Sequence, residues 1–126
     1  MNWLNLQDVA KWISSPGRAH ESPKGFPMFQ TKDVKHLKKS DAGLPGDGEV
    51  LIANNMDTVW FVETRDHPEP VSREDCQQFL QVKEELMKMH PELYVRGILL
   101  TSAPVQDSAD EPLNAEECYL LQVSSN

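Results

Sequence analysis

Between Glu49 and Thr101 the hydrophobic pattern changes period twice, and this succession constrains the fold more than any other feature of the chain. Val50-Leu51-Ile52-Ala53 is a short apolar run of strand type. Asn54-Asn55-Met56-Asp57 carries turn chemistry, because Asn tolerates positive φ. Thr58 to Thr64 is rich in β-branched and aromatic residues, so the two runs predict an antiparallel hairpin. Asp66-His67-Pro68-Glu69-Pro70 then breaks the strand. Ser72 is a good helix N-cap, with Glu74 and Asp75 in a first turn where negative charge suits the helix dipole. Cys76, Phe79, Leu80, Lys83, Leu86 and Met87 keep the helical 3–4 spacing, and Pro91 stops the helix near His90. The run Tyr94 to Thr101 is mostly apolar and of strand length, as in strands covered on both faces. A strand, a crossover helix and a second apolar strand form a parallel βαβ unit.

The flanks add less. Asn5 is placed to cap a helix, with Asp8 at the capping-box position, and Leu6, Val9, Ala10 and Ile13 form its apolar stripe. Ser14-Ser15-Pro16-Gly17 ends that helix, and Trp3 and Trp12 flank its apolar face. Residues 14–48 read as an irregular, partly basic connection, tacked to the core by Phe26, Met28 and Phe29. Within it, residues 32–40 suit a short helix or an exposed arm, and Asp41 to Gly48 a loop. Residues 102–113 read as an acidic loop, and Asn114 to Val123 as either a capped helix or a last strand. The expected fold is α/β (α+β): one domain over residues 1–126, with an N-terminal helix, a central hairpin, a crossover helix and a buried parallel strand in a small mixed sheet.

Charge divides the chain. Residues 1–40 hold seven Lys/Arg against three Asp/Glu, and residues 41–126 hold five against seventeen, within a net charge of −8. This pattern suits either a basic arm for nucleic acid on an acidic body, or a basic segment docked on that body or solvated. So acidic a body repels phosphate, which generic nucleic-acid binding must neutralise. Cys76 and Cys118 share no CxxC spacing, which argues against a zinc finger or ribbon and for two reduced thiols. His20, His36, His67 and His90 are scattered and read as surface residues. There is no GxSxG, Walker-type loop, GxGxxG or HExxH. No apolar run is long enough to cross a bilayer, and the start lacks the pattern of a signal peptide, so a cytoplasmic chain without a membrane partner is expected.

Alternation in the hairpin's second strand sets Val59, Phe61, Glu63 and Arg65 on one face, and Trp60, Val62 and Thr64 on the other. A carboxylate following Val59 and Phe61 on an apolar face requires a hydrogen bond, a cation or a metal. The plainer alternative places Glu63 and Arg65 at a solvent-exposed strand end. The stretch from Gly48 through Glu49-Val50-Leu51-Ile52-Ala53 to Phe61-Val62-Glu63-Thr64-Arg65 resembles the core of the PD-(D/E)XK nuclease superfamily. The helix beginning Ser72-Arg73-Glu74-Asp75, with Gln77 and Gln78, and the strand Val95 to Leu100 extend the resemblance over roughly the middle half of the chain.

The resemblance implies a metal-dependent nuclease site. Glu63 takes the place of the motif's acid and binds a divalent cation, Mg²⁺, which activates water and stabilises charge at phosphorus. Thr64 offers a backbone carbonyl to the metal, and Gln77 or Gln78 supports the site. Arg65 falls on the lysine position, where a permanently charged guanidinium cannot act as a base but can hold phosphate or water. Val50 falls in register on the first-strand aspartate. Glu49, one residue earlier, faces the opposite side unless a bulge re-aims it, and Asp47 is the other candidate metal ligand. On this reading Lys32, Lys35, Lys38 and Lys39 contact phosphates of a nucleic acid. The alternative is a non-catalytic acidic module of inhibitor or immunity type on the same scaffold, binding a basic protein partner. The sequence leaves open which applies, and is compatible with a homodimer.

Overall fold

The computed structural model describes residues 1–15 and 22–123. The elements in chain order are α1 (Leu6–Ser14), β1 (Val34–Lys38), β2 (Glu49–Asn55), β3 (Thr58–Arg65), α2 (Arg73–Met89), β4 (Tyr94–Thr101), α3 (Glu111–Ala115) and β5 (Tyr119–Gln122). The five strands form one mixed sheet in the order β1-β2-β3-β4-β5. β1, β2 and β3 run as an antiparallel meander, and β4 and β5 add in parallel. The expected α/β class, the hairpin, the crossover helix and the buried parallel strand are all present.

α1 starts where expected. The Asn5 side chain accepts from the backbone N–H groups of Gln7 (2.9 Å) and Asp8 (3.2 Å), two donors a helix start leaves unpaired. Asp8 does not close a box with Asn5; it accepts from the Asn2 N–H instead, at 2.9 Å. The helix stop at Pro16-Gly17 lies outside the described residues, as does His20. α2 begins on a complete capping box, in which Ser72 Oγ accepts from the Asp75 N–H and Asp75 returns to the Ser72 N–H.

Each face of the sheet carries its own core. Val50, Val59, Phe61, Val95 and Leu99 face α2, meeting Cys76, Phe79, Val82 and Leu86, with Leu113 of α3 in the same cluster. Leu51, Ala53, Trp60, Val62, Ile98 and Leu100 face the other way, onto α1 and onto Phe26 and Phe29. Period-two alternation thus sends each strand's residues to two different helical layers. Phe26 and Phe29 tack the connection down as expected, whereas Met28 is 80% exposed. Gly97 of β4 has a steric reason. A Cβ there would lie 2.4 Å from Phe61 Cζ and 2.7 Å from Phe79 Cζ.

Four stretches differ from the sequence reading. Residues 34–38, read as helix or exposed arm inside an irregular connection, form β1, paired in register with β2 from Val34↔Ala53 to Lys38↔Glu49. The high lysine content hid a strand whose partner lies fifteen residues downstream. β2 runs on to Asn55, so the turn is Met56-Asp57, with Met56 at φ 58. The acidic loop ends early, because α3 starts at Glu111, and Val105 bridges back to Val71. The helix-or-strand alternative for 114–123 resolves into both, the end of α3 and then β5. Lys83, expected with its stem at the helix margin, is buried, and its Nζ donates to the Glu116 carbonyl at 2.5 Å. Among the described residues, no helix is long and apolar enough to cross a membrane.

Candidate functional site

β3 carries Glu63 onto the α2 face of the sheet, two residues after Phe61 and in register beside Val50 of β2. Its side chain is only 10% exposed, and one oxygen, Oε1, is held by Lys39 Nζ. Oε2 has no hydrogen-bond partner. Burial pushes the Glu63 carboxyl above its ordinary value, outweighing the opposing pull of the Lys39 ammonium. Of the two sequence readings for this residue, the buried carboxylate with a cation is the one observed. Its cation comes from the chain itself.

Lys39 reaches that position by the same alternation. It directly follows β1, and counting by twos along β1 sets Leu37 and then Lys39 on the face that holds Val50 and Glu63. The Lys39 backbone is fixed on both sides: its N–H donates to the Gly48 carbonyl (3.0 Å), and its carbonyl accepts from Leu44 (2.9 Å) and Ala42 (3.1 Å). The four lysines proposed for phosphate contact therefore do not share one surface. Lys39 turns inward, Lys35 and Lys38 are exposed on opposite faces of an edge strand, and Lys32 precedes it. Lysines on an edge strand are a common protection against pairing with another chain.

Two open clefts meet at the Lys39–Glu63 pair. One, of about 580 Å³, lies towards the start of α1, lined by Asn5, Gln7, His36, Asp47 and Glu49 beside the pair. The other, of about 600 Å³, lies towards α2, lined by Arg65, His67, Glu69, Asp75 and Gln78 beside the pair. Lys39, Asp47, Glu63 and Thr64 line both.

The remaining candidates separate. Glu49 lies on the α1 face with Leu51, opposite to Glu63, and meets His36 Nε2. The register argument that placed it there holds, and no bulge re-aims it. Arg65 donates to the Glu69 carbonyl at 2.7 Å and forms an ion pair with the Asp75 carboxylate at 3.3 Å. Its guanidinium ties the 66–70 turn to the first turn of α2. Gln78 reaches the α2-side cleft, while Gln77 is exposed and lines neither. Asp47 is exposed and is the only other candidate metal ligand in both clefts with Glu63.

These residues do not fit a resident Mg²⁺. Such a site needs hard oxygen donors grouped about one point. Here one Glu63 oxygen is taken by an ammonium, Glu49 is on the other face, and no group of three or more His, Cys, Asp or Glu side chains is placed to hold a metal among the described residues. The thiols offer no alternative chemistry. Burial pushes Cys76 up to about 11 and raises Cys118 as well, keeping both protonated and unreactive at neutral pH.

The sequence missed Lys39 and His36 as partners of the two acids. The signal that could have found them is alternation through Val34 to Lys39, which sorts His36 with one face and Leu37 and Lys39 with the other once the segment is read as a strand. Comparisons with protein families, curated proteins and solved structures return no match, so the site is read from this chain's own residues.

Proposed function

We propose that this chain is a non-hydrolytic protein on a PD-(D/E)XK-like scaffold that works by contact with a basic protein partner. The observation that carries the reading is the division of its carboxylates. Glu63 and Glu49 project from opposite faces of the sheet, Glu63 paired with the Lys39 ammonium and Glu49 set against the His36 imidazole. A cation-dependent hydrolase needs its acids on one face about one metal. The order hairpin, helix, parallel strand supports the scaffold resemblance.

Charge supports the kind of partner. The α2 side of the molecule is rich in outward acids, with Glu74, Glu84, Glu111, Glu116 and Glu117 all exposed. α3 is held to α2 by Lys83–Glu116 and Arg73–Glu111, so these acids belong to one packed layer. A negative layer of this kind steers and orients a positively charged surface. The lysines that a nucleic acid would need are divided between two faces and the interior.

The test is affinity capture from the native source at low salt. The wild-type chain is compared with a variant carrying Glu74→Gln, Glu84→Gln, Glu111→Gln and Glu117→Gln. A basic protein retained by the wild type and lost by the variant is the expected result. A nuclease-insensitive failure to retain any basic protein refutes the reading. So does Mg²⁺- or Mn²⁺-dependent cleavage of DNA or RNA that Glu63→Ala abolishes. That cleavage is the mark of the second reading, metal-dependent hydrolysis, which draws on Asp47 lining both clefts with Glu63 and on the unpartnered Glu63 Oε2.

A further inference from the structure

The scaffold resemblance calls for a cation at Glu63, and the chain supplies one of its own. We propose that Lys39 is a built-in counter-ion, whose ammonium takes the place of a divalent metal at Glu63 and closes a latent cation site to Mg²⁺ and Mn²⁺. The inference rests on the scaffold reading above and adds what became of its metal position.

Three observations carry it. The first is aim. The Lys39 backbone is pinned by hydrogen bonds to Gly48, Leu44 and Ala42, and strand alternation points its side chain at Glu63. The second is enclosure. Both side chains are about nine-tenths buried, at 11% and 10% exposure, so solvent screens their contact little. A divalent cation on the same carboxylate would stand against the ammonium with few waters to separate the two. The third is the donor set that the lysine leaves. Glu63 Oε2 is buried without a partner, and Asp47 and Thr64 line both clefts with it. With the ammonium gone, Glu63 would present two free oxygens to the two open clefts that Asp47 also lines. That suits a cation which keeps several waters and takes few protein carboxylates.

The prediction is a gain of binding on removing a positive charge. Mn²⁺ is the probe, read by the loss of the free aqua-ion signal in electron paramagnetic resonance and by thermal unfolding at matched ionic strength. The wild type is expected to bind no Mn²⁺ that depends on Glu63. Lys39→Met is expected to bind one equivalent at least tenfold more tightly than the wild type, and to gain thermal stability as Mn²⁺ is added. Lys39→Arg, which keeps the charge, should show no gain, and Lys39→Met/Glu63→Gln should lose it.

A folded Lys39→Met protein that binds Mn²⁺ no more tightly than the wild type overturns the inference. Lys39→Gln serves in the same assay if the Met variant does not fold. Mn²⁺ binding by the wild type that Glu63→Gln abolishes overturns it without any Lys39 variant. Binding of that kind with no cleavage of DNA or RNA leaves the partner reading intact. Loss of partner capture in the α2-face variant leaves the counter-ion inference intact. The two can therefore fail separately.

Discussion

Gly97→Ala tests the packing that seats α2 over the sheet beside Glu63. The added Cβ would lie 2.4 Å from Phe61 Cζ, 2.6 Å from Phe61 Cε1 and 2.7 Å from Phe79 Cζ. Carbon atoms in contact prefer about 3.5–4.0 Å, so three contacts fall short by roughly 1 Å each. Neither ring has room to retreat. Phe61 is fully buried, Phe79 is 3% exposed, and the two stack at 4.7 Å. Overpacking of this kind costs about 2–3 kcal/mol. Alanine recovers part of that, about 0.5–1 kcal/mol, by narrowing the unfolded ensemble. The net expectation is a loss of about 2 kcal/mol, or about 8 °C in Tm for a chain of this length. Urea unfolding followed by circular dichroism measures it. Phe79→Leu in the Gly97→Ala background removes one of the clashing rings, so the double variant should lose less than the sum of the singles by about 0.5 kcal/mol or more. A Gly97→Ala protein within about 0.5 kcal/mol of wild type, or strict additivity in the double variant, refutes the account.

Other expectations concern the buried charges and thiols. The Glu63 carboxyl is raised in the folded state from an ordinary value of 4.5. The folded protein therefore binds this proton more tightly than the unfolded chain does. The group's contribution to stability is full at low pH and is lost as pH climbs from 4.5 through the folded value. Glu63→Gln should remove that segment of the pH–stability curve, and a curve of unchanged shape refutes the assignment. Lys39→Met alone strands a buried carboxylate and should cost about 3–5 kcal/mol, while Lys39→Met/Glu63→Leu should be as stable as wild type or more so. Equal losses in the single and double variants, seen by denaturant titration, would count against a true pair. Cys76, buried and raised to about 11, should resist alkylation at pH 8 until the protein unfolds, and modification faster than unfolding would show the thiol to be accessible.

The sequence was most legible where local and long-range signals agreed. Ser72 with Asp75, the 3–4 stripe from Cys76 to Leu86 and the apolar run of β4 each specify their element locally, and the stripe then packs against Val95 and Leu99 of that run while Ile98 and Leu100 fill the opposite core. β1 was illegible because its identity is not local. Val-Lys-His-Leu-Lys has the composition of a solvated segment, and only its pairing with β2 makes it a strand. The site followed the same division. Glu63 was found because alternation along one strand isolates it among apolar neighbours, and Glu49 was correctly set on the other face by register. Lys39 was misplaced among surface lysines because its partner lies across two strands, and no window of sequence joins residues 39 and 63. Arg65 matched a motif position by spacing alone, yet its side chain is committed to Asp75 and the Glu69 carbonyl.

The Lys39–Glu63 pair is not explained by stability. Well-packed apolar residues of similar size commonly do as well as a buried ion pair, or better by about 1–4 kcal/mol. Nor is the pair needed to fix the register of β1. Five consecutive residues of that strand pair with β2, and the Lys39 backbone is held by its own three hydrogen bonds. Packing and register thus account for the positions of the two residues but not for their charges. What distinguishes the place is that both clefts open onto it, and that Asp47 and Thr64 accompany the pair in each. A carboxylate there without a matching positive charge would draw a cation from solution. With Lys39 in position the requirement is met inside the fold, and the clefts keep their shape with the carboxylate already engaged.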